Sequence, residues 1–226
     1  MSELNEGVLG LFGGTFDPLH VGHLRLAIEA REALGLAGVC FIPAGNPALR
    51  DAPPHCSAVH RLAMVERALA AVPGFSIDAS EAQTTTPGPS YTVETLERQR
   101  RLHGDRRPLV LLLGADAFAR FEAWHRWREL FALAHIAVAT RPGHELKVGA
   151  GDTALDAEFA ARKGSAADLG IAPAGRIVPF AITALEISAT AIRQRLAAGL
   201  SARYLVPDAV LDYIESHQIY RTSHGH

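Results

Sequence analysis

The chain has 226 residues, 48% of them hydrophobic and 20% charged, which suits a globular protein with one sizeable core or one domain with a small appendage. Its net charge of −2 at pH 7 supplies no basic footprint for a nucleic-acid backbone. A phosphate-bearing ligand must therefore be gripped by local groups and not by a global positive field.

Residues 8–12 form a short apolar run that stops at Gly13-Gly14, a buried strand ended by a glycine turn. Residues 22–34 carry helical spacing, with Leu24, Ala27, Ile28 and Leu34 on one side, Arg25, Glu29, Arg31 and Glu32 on the other, and Gly35 closing the helix. Residues 39–42 are a second buried strand, ended by Pro43. Strand, glycine loop, helix and strand make a βαβ unit and imply a parallel sheet. A loop over 44–57 precedes a helix over 58–71 with Leu62, Val65 and Leu69 as its apolar face, then a short strand at 75–77 and a loop over 83–90. A helix over 91–103 follows, with Ser90 as N-cap and Glu94 in its first turn. Residues 109–113 are a strongly apolar strand leading into Gly114-Ala115-Asp116, and residues 136–139 are another, ended by Arg141-Pro142-Gly143.

Residues 144–175 are weakly patterned, with a helix over 155–162; then come a last strand at 176–180 and helices over 188–198 and 207–217, Pro207 standing in the first turn of the second. This alternation predicts an α/β fold, a doubly wound parallel sheet with a small helical C-terminus. The whole of 1–226 reads as a single domain, with a core over about 8–180 and a helical part over about 181–221.

Cys40 sits in an apolar run and Cys56 follows Pro53-Pro54-His55; two such cysteines make neither a Cys-x-x-Cys pair nor a disulfide framework. A reducing cytoplasm is the expected setting, and no window approaches the length of a membrane span.

The stretch Gly13-Gly14-Thr15-Phe16-Asp17-Pro18-Leu19-His20-Val21-Gly22-His23 carries most of the chemistry. It leaves the carboxyl end of a buried strand and opens a helix, the place where open α/β sheets bind ligands. The two glycines permit close backbone approach, and the helix start offers unpaired N–H groups for a phosphate. Neither a G-x-G-x-x-G fingerprint nor a G-x-x-x-x-G-K-[ST] loop is present. His20 and His23 are three apart and share a helix face; two N–H donors aimed at one phosphoryl group would stabilise charge in an in-line displacement. Gly22 between them leaves room for a nucleotide. The alternatives are a metal pair, for which no further ligands stand at useful spacing, and two unrelated surface histidines.

This stretch resembles the signature loop of the HxGH nucleotidyltransferase superfamily, and in its longer form that of bacterial nicotinate-nucleotide adenylyltransferases. Ile187-Ser188-Ala189-Thr190-Ala191-Ile192-Arg193 resembles the superfamily's second element, Ile-Ser-x-Thr-x-Ile-Arg. Ser188 can cap a helix and bind a phosphate oxygen, Thr190 adds a hydroxyl, and Arg193 supplies a forked donor for a triphosphate. The resemblance extends to Ser90-Tyr91-Thr92, where it implies that Thr92 helps bind a nicotinate group, and to Phe121 and Trp124, where it implies that Trp124 stacks on a pyridine ring. On its own Trp124 reads equally as a half-buried core aromatic. Gly114-Ala115-Asp116 resembles the family's Gly-x-Asp, with Asp116 accepting from a ribose hydroxyl, and Arg141-Pro142-Gly143 its Arg-Arg-Pro-Gly region, with Arg141 a nucleotide contact. Segments 205–207, 213–214 and 220–221 resemble its C-terminal helix and tail. One departure is plain: after the second strand the family often has Pro-Pro-His-Lys or Pro-Pro-His-Arg, and here the chain reads Pro47-Ala48-Leu49-Arg50. Arg50 keeps the positive charge expected near the acceptor phosphate, Leu49 stands where the histidine would, and Pro54-His55 follows a few residues later.

The resemblance implies adenylyl transfer from ATP to nicotinate mononucleotide, giving deamido-NAD and pyrophosphate in NAD biosynthesis. The expected catalytic residues are His20, His23 and Arg193. Gly13, Gly14, Thr15, Phe16, Gly22, Gly114, Asp116, Arg141, Ser188 and Thr190 would bind ATP, and Arg50, Tyr91, Thr92 and Trp124 the acceptor. Mg²⁺ is expected to come with ATP, without a dedicated protein cage. The rival readings are a phosphopantetheine adenylyltransferase or cytidylyltransferase, a preference for the nicotinamide acceptor, and a nucleotide-binding regulatory module without turnover.

Overall fold

The computed structural model describes residues 7–48, 52–85, 88–141, 143, 146 and 153–221. Six strands, β1 (Leu9–Gly14), β2 (Gly38–Pro43), β3 (Phe75–Ile77), β4 (Leu109–Gly114), β5 (His135–Thr140) and β6 (Ile177–Ala181), form one sheet in the order β3-β2-β1-β4-β5-β6. Every pairing is parallel. The strand order reverses direction between β1 and β4, and the crevice at their carboxyl ends is where a doubly wound sheet takes a ligand.

The sequence of β4 shows why both faces of the sheet are covered. Its residues are apolar without interruption, and successive side chains point to opposite faces. Leu109, Leu111 and Leu113 enter one apolar cluster with Val93 and Leu96 of α3 (Thr92–His103), Phe118 of α4 (Ala115–Phe118) and Leu130 of α5 (Leu130–Leu133). Val110 and Leu112 enter the cluster on the other face, with Ala27, Ala30 and Leu34 of α1 (Val21–Leu34) and Val65 and Leu69 of α2 (Ala58–Leu69). A third cluster packs Met64 of α2 against Ile192 of α7 (Ala189–Ala197) and Val210 and Ile214 of α8 (Asp208–Ser216). The helical C-terminus thus docks on α2, beside the outlet of β2.

The expected elements are all present, with shifts at their ends. Ser90 is not the cap of α3. That position falls to Tyr91, while the Ser90 N–H donates to the Asn46 carbonyl at 2.7 Å and its hydroxyl accepts from the Asn46 N–H. Ser90 is spent on joining the loop after β2 to the start of α3. Pro207 caps α8 instead of standing inside its first turn. Glu29, placed by pattern on the polar side of α1, is buried: its carboxylate accepts from the Thr183 N–H at 2.6 Å and pairs with Arg25. The helix in the weakly patterned region is α6 (Ala154–Arg162), begun by a Thr153–Asp156 capping box; a 3-10 turn over Ala166–Gly170 follows it. Among the described residues no helix is long and apolar enough to cross a membrane.

Candidate active site

Two constellations meet at the carboxyl end of β1. The first is a cavity of about 530 Å³, walled on one side by Gly13, Gly14 and Thr15 and on the other by Tyr91, Thr92 and Trp124. The Trp124 ring packs on Phe121, 5.2 Å between centroids, and Tyr91 lies 4.5 Å from His125. Trp124 therefore has both qualities the sequence left open: it packs against the core cluster and also lines the cavity. Glu81 lines the same cavity and accepts from the Thr95 hydroxyl of α3.

The second constellation is the histidine turn. His20 is the N-cap of α1, and its ring stacks on that of His23 at 3.7 Å between centroids and 22° from parallel. The His20 backbone N–H donates to Nδ1 of His23 at 3.2 Å. An imidazole that accepts at Nδ1 and is neutral carries its proton on Nε2. Both rings are held neutral: burial pushes the His20 pKa down to about 4, and burial, reinforced by the neighbouring His20, pushes His23 well below the usual histidine value. Phe12 and Phe16 supply the apolar wall around His23. A Cβ on Gly22 would lie 3.1 Å from Nδ1 of His20, so the bare glycine is what lets this ring lie back across the turn. The Val21 N–H, the first of α1, donates to the Leu205 carbonyl, which ties the helix start to the C-terminal segment.

The second motif meets this turn through Arg193. Ser188 caps α7 by accepting from the Ala191 N–H. Arg193, only 9% exposed, donates from Nη1 to the Asp17 carbonyl at 2.7 Å and from Nη2 to the Thr190 hydroxyl at 3.1 Å. Its fork, expected to be directed at a triphosphate, is in this structure directed largely at the protein.

Phe16 also differs from expectation. The residue is 2% exposed, its ring packed edge-on to Phe12 and His23 and against Phe41, so Phe16 builds the core under the loop and does not line the cavity. A Cβ on Gly14 would lie 2.8 Å from that ring, which accounts for the second glycine of the pair. Gly114 ends β4 and Asp116 is exposed just beyond it; Arg141 is exposed after β5. These three, like the histidines, Ser188, Thr190 and Arg193, lie outside the cavity wall. Arg50 falls outside the described residues.

Two residues to which the sequence reading gave no role, Arg61 outside the motifs and Asp17 within the first of them, hold the site together. Arg61 of α2, 1% exposed, donates to the carbonyls of Thr15, Ala44 and Gly45 at 2.8, 2.6 and 2.8 Å, clamping the outlets of β1 and β2 side by side. The signal was present in the sequence: an arginine four residues before Val65, on the apolar face of its helix. Asp17 is buried, and its carboxylate accepts from the His55 N–H at 2.8 Å, the Tyr220 hydroxyl at 2.7 Å and the Cys56 thiol at 3.3 Å. Burial alone would raise its pKa, but these three donors and the charge of Arg193 outweigh it and hold the carboxyl below the usual range.

A parallel sheet in this order, with a glycine turn and a paired-histidine helix start at its switch point, is the arrangement of a nucleotidyltransferase domain, and the cytidylyltransferase-like family matches residues 11–195. The chain is 55% identical over 216 residues to a probable nicotinate-nucleotide adenylyltransferase of Dechloromonas aromatica, covering 95% of this chain and 98% of that one. It is 46% identical over 223 residues to its namesake in Laribacter hongkongensis, with 98% of each chain covered. The chain belongs to the nicotinate-nucleotide adenylyltransferase family. Its fold is also that of Plasmodium falciparum nicotinic acid mononucleotide adenylyltransferase solved with NaAD, at a TM-score of 0.68 and 15% identity, over 94% of this chain and 97% of that one.

Proposed function

We propose that this protein joins ATP and nicotinate mononucleotide to give deamido-NAD and pyrophosphate. The observation that carries the reading is the junction at β1: a neutral, stacked histidine pair at the start of α1 lies next along the chain from Gly13-Gly14-Thr15, which wall a cavity furnished with Tyr91, Thr92 and Trp124. An aromatic face and a hydroxyl suit a flat, electron-poor ring with a polar substituent. The relatives' names agree with this acceptor.

In this reading a 5′-phosphate oxygen of the acceptor attacks the α-phosphorus of ATP, and the bond to the bridging oxygen of pyrophosphate breaks in line. No protein nucleophile is needed, and catalysis consists of positioning and electrostatics. His20 and His23 donate to the phosphoryl oxygens through ring N–H groups. Because the rings are neutral, they can donate without the strong hydration a buried cation would demand. Backbone at Gly13, Gly14, Thr15 and Phe16 receives the phosphates, and Gly22 gives them room. Ser188 and Thr190 at the start of α7, with Arg193, take the leaving pyrophosphate, Arg193 exchanging part of its contact with Asp17 for phosphate oxygens. Gly114, Asp116 and Arg141 border the adenosine side. Tyr91, Thr92 and Trp124 hold the acceptor base, and Arg50 its phosphate.

Mg²⁺ belongs to this scheme as the partner of ATP. The described residues contain no cluster of three histidine, cysteine or carboxylate side chains that could hold a metal, and Asp17 beside the histidine turn has both oxygens engaged. The ion would be carried by phosphate oxygens and water, neutralising triphosphate charge. A cytoplasmic setting goes with the free thiols of Cys40 and Cys56.

The test is pyrophosphate release from Mg·ATP with nicotinate mononucleotide, nicotinamide mononucleotide or phosphopantetheine as acceptor. Strong preference for the first is expected. Release only with another acceptor would keep the chemistry and overturn the substrate, and ATP binding with no release would favour a regulatory module.

A further inference from the structure

We propose that Tyr220, at the C-terminal tail, is a positioning residue for the histidine loop and acts through Asp17. The hydroxyl of Tyr220 donates to Oδ1 of Asp17 at 2.7 Å, across 203 residues of chain. The same Oδ1 lies 3.3 Å from Sγ of Cys56, and Sγ lies 3.3 Å from the Tyr220 oxygen, so the three close a small polar ring. The other oxygen accepts from the His55 N–H. Every direction in which the carboxylate could turn is therefore set by a donor from another segment.

The consequence lies on the far side of Asp17. Its carbonyl accepts from Nη1 of Arg193 at 2.7 Å, and that nitrogen stands 3.9 Å from Oδ2. Asp17 is three residues before His20 in the loop that joins β1 to α1. Fixing its side chain fixes the carbonyl that orients Arg193 and the path of the chain into His20. The tail is itself secured: Ile219 is buried in the α2–α7–α8 cluster and its N–H donates to the Ile214 carbonyl. Tyr220 holds a positive φ of 65°, a backbone cost that its packing on the α2–α7–α8 cluster and its hydroxyl bond must offset.

The inference rests on the proposed adenylyl transfer. It is tested with the full-length protein by a double-mutant cycle on Tyr220→Phe and Asp17→Asn, reading kcat, KM for nicotinate mononucleotide and thermal midpoint. Tyr220→Phe is expected to lower kcat roughly tenfold or more, as a small misplacement of catalytic groups does, while the acceptor KM stays within about twofold, since neither Tyr220 nor Asp17 lines the acceptor cavity. The double variant is expected to lose no more than Asp17→Asn alone, because the two act in series. A kcat within about twofold of the parent, a loss confined to the thermal midpoint, or additive losses would overturn the proposal. If Tyr220→Phe yields no folded protein, Cys56→Ala removes a contact to the same oxygen and leaves the tail hydroxyl in place; the same cycle with Asp17→Asn then decides by the same criteria. A parent protein that releases no pyrophosphate contradicts the activity assignment itself, a result distinct from an active parent matched by an equally active Tyr220→Phe.

Discussion

The rings of His20 and His23 lie stacked at the start of α1, 3.7 Å between centroids, and the backbone N–H of the first donates to Nδ1 of the second. That one bond sets the tautomer and leaves the Nε2 proton of His23 as a donor. Replacing His20 by alanine removes one donor and the surface on which the other rests. The loss of one such preorganised donor costs about 10²–10³ in kcat, and a loss of that size is expected for His20→Ala in a steady-state assay. Turnover within a few-fold of the parent would remove the pair from the mechanism.

The same pair makes stability depend on pH. Both histidines have folded pKa values below the ordinary 6.5, His20 at about 4. Between those limits the unfolded chain binds more protons than the folded one, so stability must fall as pH drops from about 6.5 toward 4, by up to about 1.4 kcal/mol per pH unit for each histidine. Asp17, with its depressed pKa, adds a further loss at lower pH, as its carboxylate protonates. Thermal midpoints measured down this range should decline, and His20→Asn should flatten the decline.

Gly22 separates foldability from activity. Alanine is the better helix former by about 1 kcal/mol, yet its Cβ would stand 3.1 Å from Nδ1 of His20, a ring that cannot yield without leaving its stack on His23. Gly22→Ala is expected to keep or raise the thermal midpoint and to lower kcat by tenfold or more, on the order expected from a small misplacement. Unchanged kcat would show that the ring is free to move.

Trp124 lines the acceptor cavity and stands apart from the histidine turn. Trp124→Ala should raise KM for the acceptor by roughly tenfold, the scale of a lost aromatic contact plus its burial, with little change in KM for ATP. Equal effects on both substrates would contradict the division of the site.

Arg61 gives a purely structural expectation. Arg61→Met leaves the carbonyls of Thr15, Ala44 and Gly45 without these donors, a cost of about 3 kcal/mol or more if each is worth about 1 kcal/mol. Denaturant titration should show that loss, and a change below about 0.5 kcal/mol would place it with ordinary surface substitutions.

The strands, the glycine turn and the histidine helix were legible because each has a local cause. Apolar runs ended by Gly or Pro mark β1, β2 and β4, and three-residue spacing marks His20 and His23. Partnerships between distant segments left no local trace. Ser90 reads as a cap because it precedes a helix, yet its groups are taken by Asn46 across the cavity mouth. Arg193 carries a triphosphate motif, yet its fork reaches Asp17. Glu29 sits on a polar stripe, yet the turn at Thr183 draws it inside. Phe16 lies within the signature loop, but a shared run of residues does not say which way each ring faces, and packing on Phe12 and Phe41 turns it inward.

The most direct test of the central claim is the product balance of one reaction. Purified protein incubated with Mg·ATP and nicotinate mononucleotide should form deamido-NAD and pyrophosphate in equal amounts, and His20→Ala should depress both together. Pyrophosphate without the dinucleotide, or dinucleotide formation indifferent to His20, would contradict adenylyl transfer at the histidine turn.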